Sequence, residues 1–239
     1  MVFRGIPPEA LVLIETTVAP GTTEQIAFPI MSKVFEKRGI ESEPLLAHSY
    51  ERVMPGRNYV ASIRDFWRVC SGINEMARNR VREFLSEIIN VGQYPLTVLD
   101  RPIESETCKI VENSFRATLL AFLDEWSVFA ERNGVDLIKV VEAIKVRPTH
   151  SNMIFPGPGI GGYCLPKDAG LGYWAYKHIL GFEDGDSVFK ISPVAVDIND
   201  DTLQFARSVG AAATINARDM DDVAGAVEAA REVDEPMVV

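Results

Sequence analysis

PPEALVLIETTVAPGTTEQIAFPIMSKVFEKRG, residues 7–39, reads as a strand that enters a tight turn and leaves it as a helix. The apolar run at 10–15 is too short for a helix and is bounded by prolines and a charge, which fits a buried strand. Val18, Ala19, Pro20 and Gly21 supply the turn; Thr22, Thr23 and Glu24 open a helix that continues to about residue 37, and Gly39 stops it. Strand, turn and helix in this order form the back half of a βαβ unit, so the sequence predicts an α/β fold. A parallel sheet would place Thr16 and Thr17 at its carboxyl edge, where open α/β sheets bind ligands. A plain helix cap is the alternative reading of these threonines.

Further along, residues 43–48 predict another short strand, followed by the irregular segment SYERVMPGRNY at 49–59. Gly72 precedes a helix over about 74–89 with apolar residues at Met76, Val81, Phe84, Leu85 and Ile88, and 95–99 reads as a strand closing the first sheet. The next segment differs in scale. From Pro102 at a helix's first turn to Gly134 as its stop, about 30 residues read as continuous helix, roughly 45 Å at 1.5 Å per residue. Its apolar positions include Ile110, Val111, Phe115, Leu119, Phe122, Leu123, Trp126 and Phe129, too much hydrophobic surface for one side of a solvated connector. The helix therefore requires a second partner, or is buried inside a bundle. Residues 135–144 predict a shorter helix, a long loop carries Arg147 and Asn152, and helix resumes from 165 to Gly181. The expected division is 1–101, 102–190 and 191–239.

The chain has 239 residues, 47% of them apolar and 24% charged, the composition of an ordinary globular protein. No apolar run reaches the roughly 18 residues of a membrane span, and the N-terminus has no signal-like segment, so a cytoplasmic location without membrane partners is expected. A formal charge of −10 argues against a nucleic-acid partner and for small molecules or copies of the chain itself. Cys70, Cys108 and Cys164 lie far apart with no CxxC pair, which suggests no zinc site and no disulfide framework. His48, His150 and His178 are isolated and read as structural.

The stretch GPGIGGYCLPKD, 157–168, places Cys164 after a glycine-rich turn and before Pro166, Lys167 and Asp168. Its glycines allow close approach of the backbone to a ligand, and Lys167 favours a nucleophilic thiolate. A buried structural cysteine in a turn fits the spacing equally well. Lys109 and Asn113 lie four apart on the long helix and so share a face. A cation and an amide together suit an oxyanion, although alone such a pair is more often a solvated surface couple.

The cysteine stretch resembles the motif of the nucleotide-sugar dehydrogenases, the UDP-glucose/GDP-mannose dehydrogenase family. Four further pieces resemble the family in its own order: ETTVAPGT at 15–22, YERVMPG at 50–56, KIVEN at 109–113 and KDAGLGYWA at 167–175. The resemblance runs from about residue 8 to about 200, is strongest over 103–175, and covers only the middle of such an enzyme. It implies a partial Rossmann-like NAD domain and a long central helix with a helical domain forming a homodimer.

The implied reaction is an NAD-dependent, two-step oxidation of the primary alcohol of a nucleotide sugar to a uronic acid, through a thioester on Cys164. The resemblance gives Lys109 and Asn113 the oxyanion and substrate contacts, and gives Asp168 and Thr17 the placement of water and protons. Glu51 would contact substrate and assist hydrolysis. Asn152 and Gly161 would add substrate contacts, while Thr17 and Lys167 would lie toward the cofactor. A second acid four positions after Glu51, frequent in the family, is Pro55 here. The version ERVMPG resembles the branch acting on UDP-N-acetylhexosamines more than that acting on UDP-glucose.

The family's GxGxxG fingerprint for the dinucleotide pyrophosphate has no counterpart before Ala10. At the other end, 193–227 resembles part of the cofactor domain of zinc-type alcohol dehydrogenases, with Asp197 at the ribose-binding acid but no zinc ligands. Strands at 194–198 and 212–215 with helices at 200–209 and 219–232 would make an incomplete βαβα piece. The first reading is thus a truncated nucleotide-sugar dehydrogenase. A non-catalytic dimerising remnant that binds nucleotide sugar weakly comes second, and an alcohol dehydrogenase last.

Overall fold

The computed structural model describes residues 2–53, 56–157, 164–182, 194–197, 204 and 213–216. Strands β1 (Val12–Ile14), β2 (Leu46–His48), β3 (Val69–Gly72) and β4 (Thr97–Leu99) form one sheet in that order. β1 runs parallel to β2 and β3 parallel to β4, with Val12 opposite Leu46 and Val69 opposite Thr97. The β2–β3 pair is antiparallel, with His48 opposite Ser71, which interrupts the parallel order expected from the βαβ reading. A parallel return needs a crossover over the sheet, usually a full helix. Here the connection holds only α2 (Tyr59–Arg64), six residues, and the chain re-enters at the edge it left.

Helices cover both faces of this sheet. A wide first turn, Thr22–Ala27, leads into α1 (Phe28–Lys37), whose Met31 and Phe35 bury with Leu46 against Val12, Ile14 and Ile73. On the opposite face, Val81 and Leu85 of α3 (Glu75–Ile88) bury with Ala47, Cys70 and Ile89. Leu46 and Ala47, neighbours in sequence, serve opposite layers because strand side chains alternate. Asn74 starts α3 by accepting the Ala77 N–H at 2.8 Å. The buried stripe of α3 is Ala77, Val81 and Leu85, while Met76, Phe84 and Ile88, expected in its apolar face, are 63%, 47% and 42% exposed. So short a sheet offers α3 one narrow line of contact.

The long helix is present as read: α4 (Pro102–Asn133) runs for 32 residues, and Gly134 ends it with φ of 64°, the left-handed conformation that glycine takes without strain. Ile110, Leu123 and Ala130 of α4 are buried, whereas Val111, Phe115, Phe122, Trp126, Val128 and Phe129 are exposed. α5 (Leu137–Lys145) begins on Asp136, whose side chain accepts the Lys139 N–H. α6 (Cys164–His178) begins at the cysteine, and β5 (Val194–Asp197) pairs in parallel with β6 (Ala213–Asn216). The rest of the βαβα piece and the turn before β5 lie outside the described residues.

Two compact units divide the chain: Met1–Ile110 with Leu171–Phe189, and Val111–Gly170 with Lys190–Val239. The divisions fall inside α4 after Ile110, inside α6 after Gly170, and after Phe189. Among the described residues, no helix is long and apolar enough to cross a membrane, and no group of His, Cys, Asp and Glu fits a metal ion.

Candidate functional site

In the first unit, the site residues gather at the carboxyl ends of β1 and β2. Two backbone bonds carry the strand pairing past the regular register, Ser49 N–H to Ile14 O at 3.0 Å and Glu51 N–H to Glu15 O at 3.4 Å. They hold the segment Ser49-Tyr50-Glu51 beside the loop that contains Thr17, itself half-buried. Glu51 turns its carboxylate onto its own chain, accepting the Val53 N–H at 2.6 Å. Lys109 of α4 reaches this segment through its backbone: Nζ donates to the Glu51 carbonyl at 3.1 Å and lies 5.5 Å from the centroid of the Tyr50 ring. Arg68, 2% exposed at the start of β3, pairs with Glu15 at the end of β1.

Behind this edge lies a fully buried polar group that the sequence reading passed over. Glu106 Oε2 accepts the Gly21 N–H at 2.6 Å, and Oε1 accepts the Thr23 N–H at 2.8 Å and its hydroxyl at 2.6 Å. Burial pushes the Glu106 carboxyl above its ordinary value, against the lowering effect of these bonds. His48 Nδ1 lies 2.7 Å from Ser105 Oγ, which is 2.6 Å from Ser71 Oγ. Burial lowers the His48 pKa to about 4, with the Thr16 backbone opposing. The signal for Glu106 was its register: Pro102, Ser105, Glu106 and Ile110 form one buried stripe, and a carboxylate on such a stripe needs donors.

In the second unit, Asp168 is buried with both oxygens engaged. Asn113 Nδ2 donates to Oδ2 at 2.5 Å, and the Lys167 ammonium pairs with Oδ1. Lys167, expected to act on the thiol of Cys164, thus directs its charge to Asp168. Asp168 is the fifth residue of α6, past its first turn, and is held by side chains. Cys164 is exposed at the start of α6. Asn152 is exposed and lines a groove of about 490 Å³ with Phe115, Leu119, Phe122, Ile144 and Met153. Gly161 lies outside the described residues.

The residues do not fit a dinucleotide at the turn after β1. The amides that open the following helix, those of Gly21 and Thr23, are taken by the Glu106 carboxylate. A Cβ on Gly21 would stand 2.8 Å from Ile179 Cγ2, so no room is left there. A pyrophosphate needs such amides open to it.

Sheet, flanking helices and the Lys109 and Asn113 pairings define an α/β protein of the Rossmann type, built around a long helix that carries polar site residues. Residues 103–183 match the model of the UDP-glucose/GDP-mannose dehydrogenase family, central domain; the chain carries a domain of that family. It is 35% identical over 161 residues to UDP-N-acetyl-D-mannosamine dehydrogenase of Pyrococcus horikoshii, a match spanning 66% of this chain and 36% of that protein. The protein of the same name in Escherichia coli K12 is 31% identical over 170 residues, covering 66% of this chain and 38% of its own length. The matched part is therefore little more than a third of these relatives.

Two solved structures share the fold. An NDP-N-acetyl-D-galactosaminuronic acid dehydrogenase from Methanosarcina mazei Go1 superposes with a TM-score of 0.65 at 22% identity, covering 100% of this chain and 57% of that one. UDP-D-ManNAc dehydrogenase from Pyrococcus horikoshii gives 0.60 at 24% identity, covering 89% and 58%.

Proposed function

We propose that this chain serves the sugar side of a nucleotide-sugar 6-dehydrogenase reaction, the oxidation of a nucleotide sugar's primary alcohol to a uronic acid in the cytoplasm. UDP-N-acetylmannosamine is the favoured substrate and UDP-glucose the next. The observation that carries this reading is the bond from Asn113 to the buried Asp168, which joins the KIVEN motif of α4 to the cysteine motif of α6. An aspartate with both oxygens held by an amide and an ammonium keeps its place.

In this reading Cys164 Sγ adds to the carbon of the sugar aldehyde, forming a C–S bond, and the carbonyl oxygen becomes an oxyanion. Lys109 and Asn113 oppose that charge as hydrogen-bond donors. At the later thioester, Asp168 and Thr17 orient water and take its proton, Glu51 assists, and the C–S bond breaks with the thiolate leaving. Asn152 and Gly161 contact the substrate, and Lys167 and Thr17 face the cofactor side. NAD is the oxidant this class of reaction implies; because the turn after β1 does not accept it, the oxidation itself is assigned to no residue of this chain. The exposed aromatic face of α4 serves a homodimer.

Timed alkylation of Cys164 tests the proposal without a cofactor. UDP-N-acetylmannosamine is expected to slow labelling of Cys164 and GDP-mannose to leave it unchanged; equal rates with every nucleotide sugar would overturn it. A second reading, a dimerising chain that binds nucleotide sugar without turning it over, is favoured by the turn after β1, whose Gly21 and Thr23 amides are already taken by Glu106.

A further inference from the structure

We propose that Tyr50 is the positioning residue for Lys109, an inference that rests on the role given to Lys109 above. Tyr50 follows β2 directly and is 1% exposed, so its ring is fixed by packing at the sheet's carboxyl edge. Two cations lie against this one ring: Lys109 Nζ is 5.5 Å from the centroid and the Arg52 guanidinium carbon 5.3 Å. The phenol oxygen also accepts from Arg52 Nη2 at 2.9 Å, and Arg52 Nη1 donates to the Trp67 carbonyl at 3.2 Å.

The chemistry follows from what kind of partner holds the lysine. Among the described residues, the contacts of the Lys109 ammonium are a backbone carbonyl and an aromatic face, not a carboxylate. A carboxylate would neutralise the charge, whereas a carbonyl dipole and a ring quadrupole favour it and leave it available to a developing oxyanion. A lysine has four flexible bonds beyond its backbone, and a rigid ring removes most of that freedom before any ligand arrives. The ring also offers both like charges a surface that attracts them. Arg52 in turn fixes the phenol, so residues 50–52 set the position of a residue on α4.

Carbon-13 reductive methylation of the full chain, read by NMR, tests this directly. A dimethylated Lys109 against the ring should give a methyl signal shifted upfield of those of exposed lysines, assigned by its loss in Lys109→Arg. Tyr50→Phe keeps the ring and should retain the shift; Tyr50→Leu should abolish it and leave the other lysine signals unmoved. A Lys109 signal at the position of exposed lysines in the unaltered chain overturns the proposal. An unchanged shift in a folded Tyr50→Leu chain overturns it equally. UDP-N-acetylmannosamine is then added: if the ring-shifted signal is present and the sugar nucleotide leaves it unmoved, the substrate reading fails and the placement of Lys109 by Tyr50 stands.

Discussion

Glu106 accepts the Gly21 N–H at 2.6 Å across 85 residues of sequence, tying the start of α4 to the turn that leaves β1. The same carboxylate takes the N–H and hydroxyl of Thr23, so one buried side chain satisfies three donors at the opening of a helix. Gly21 sits there at φ 91°, and the Ile179 side chain closes the space a Cβ would need. Glu106→Ala strands those buried donors. The expected loss is about 2–4 kcal/mol of stability, from roughly 1–3 kcal/mol for each buried group left unsatisfied. Glu106→Gln keeps one acceptor and should lose less. Urea denaturation of the two variants checks the order, and faster hydrogen exchange at Gly21 and Thr23 locates the effect.

His48 predicts a pH dependence. Its pKa falls from 6.5 in the unfolded chain to about 4 in the fold, because burial disfavours the imidazolium. Between these values the unfolded chain binds the extra proton, so this contribution to stability is complete above about 6.5 and is lost as pH falls toward 4. The size is at most about 3 kcal/mol, at 1.36 kcal/mol per unit. Glu106 has the opposite sign: its raised carboxyl favours folding below its unfolded value of 4.5, and that contribution is lost as pH rises. Urea midpoints measured across this range in His48→Asn, set against the unaltered chain, isolate the histidine. A variant with the same slope between pH 4 and 6.5 would show that His48 does not carry it.

The three thiols should separate widely in reactivity. Cys70 is buried on the sheet, and burial raises its pKa to about 11, against the opposing pull of Arg68 and Arg82. Cys108 is half-buried on α4, and Cys164 is exposed at the start of α6. Alkylation followed by peptide mass spectrometry is expected to label Cys164 first and Cys70 last. Labelling of Cys70 or Cys108 ahead of Cys164 in the folded chain would remove the ground for a nucleophile at 164.

The apolar face of α4 predicts association. Phe122, Trp126 and Phe129 form an edge-to-face run, with centroids 6.4 Å and 5.4 Å apart, while 49%, 46% and 51% exposed. Aromatic surface of this kind marks an interface core. Sedimentation at roughly 10 μM, within the range of ordinary interfaces, should report a dimer. Trp126→Ser should shift it toward monomer without loss of helix content. A folded monomer in the unaltered chain at that concentration would remove the homodimer.

The long helix was legible because its start, stop and apolar excess are all local signals between Pro102 and Gly134. The strands at 12–14 and 46–48 were legible for the same reason. The antiparallel turn of β3 was not, since it depends on how little helix the segment 49–68 can form. Met76, Phe84 and Ile88 misled because hydrophobicity alone does not say how wide a surface a helix will meet. At the site, KIVEN and KDAG supplied Lys109, Asn113, Lys167 and Asp168, but spacing gave no sign that Lys167 pairs with Asp168. Glu106 and Tyr50 were missed because their partners lie far away in sequence, at 21 and 23 and at 109, while His48, read as structural, is buried against Ser105.

The last prediction concerns turnover. Hydride transfer requires the nicotinamide to be held in register with the sugar carbon, and that register depends on a pyrophosphate bound at open backbone amides. After β1 the Gly21 and Thr23 amides are taken by Glu106 and are not open to a ligand. The sequence ahead of β5 offers no replacement, since EDGDSVFKISP carries one glycine, Gly185, among Glu183, Asp184 and Asp186. The purified chain alone, given NAD with UDP-N-acetylmannosamine or UDP-glucose, is therefore expected to form no NADH, even where the nucleotide sugar protects Cys164 from alkylation. Sugar-dependent NADH formation would mean that the cofactor enters by another part of the chain, and would remove the reading of a binding remnant. Protection of Cys164 without NADH would instead separate the two halves of the chemistry, with the sugar side present and no nicotinamide held in register with it.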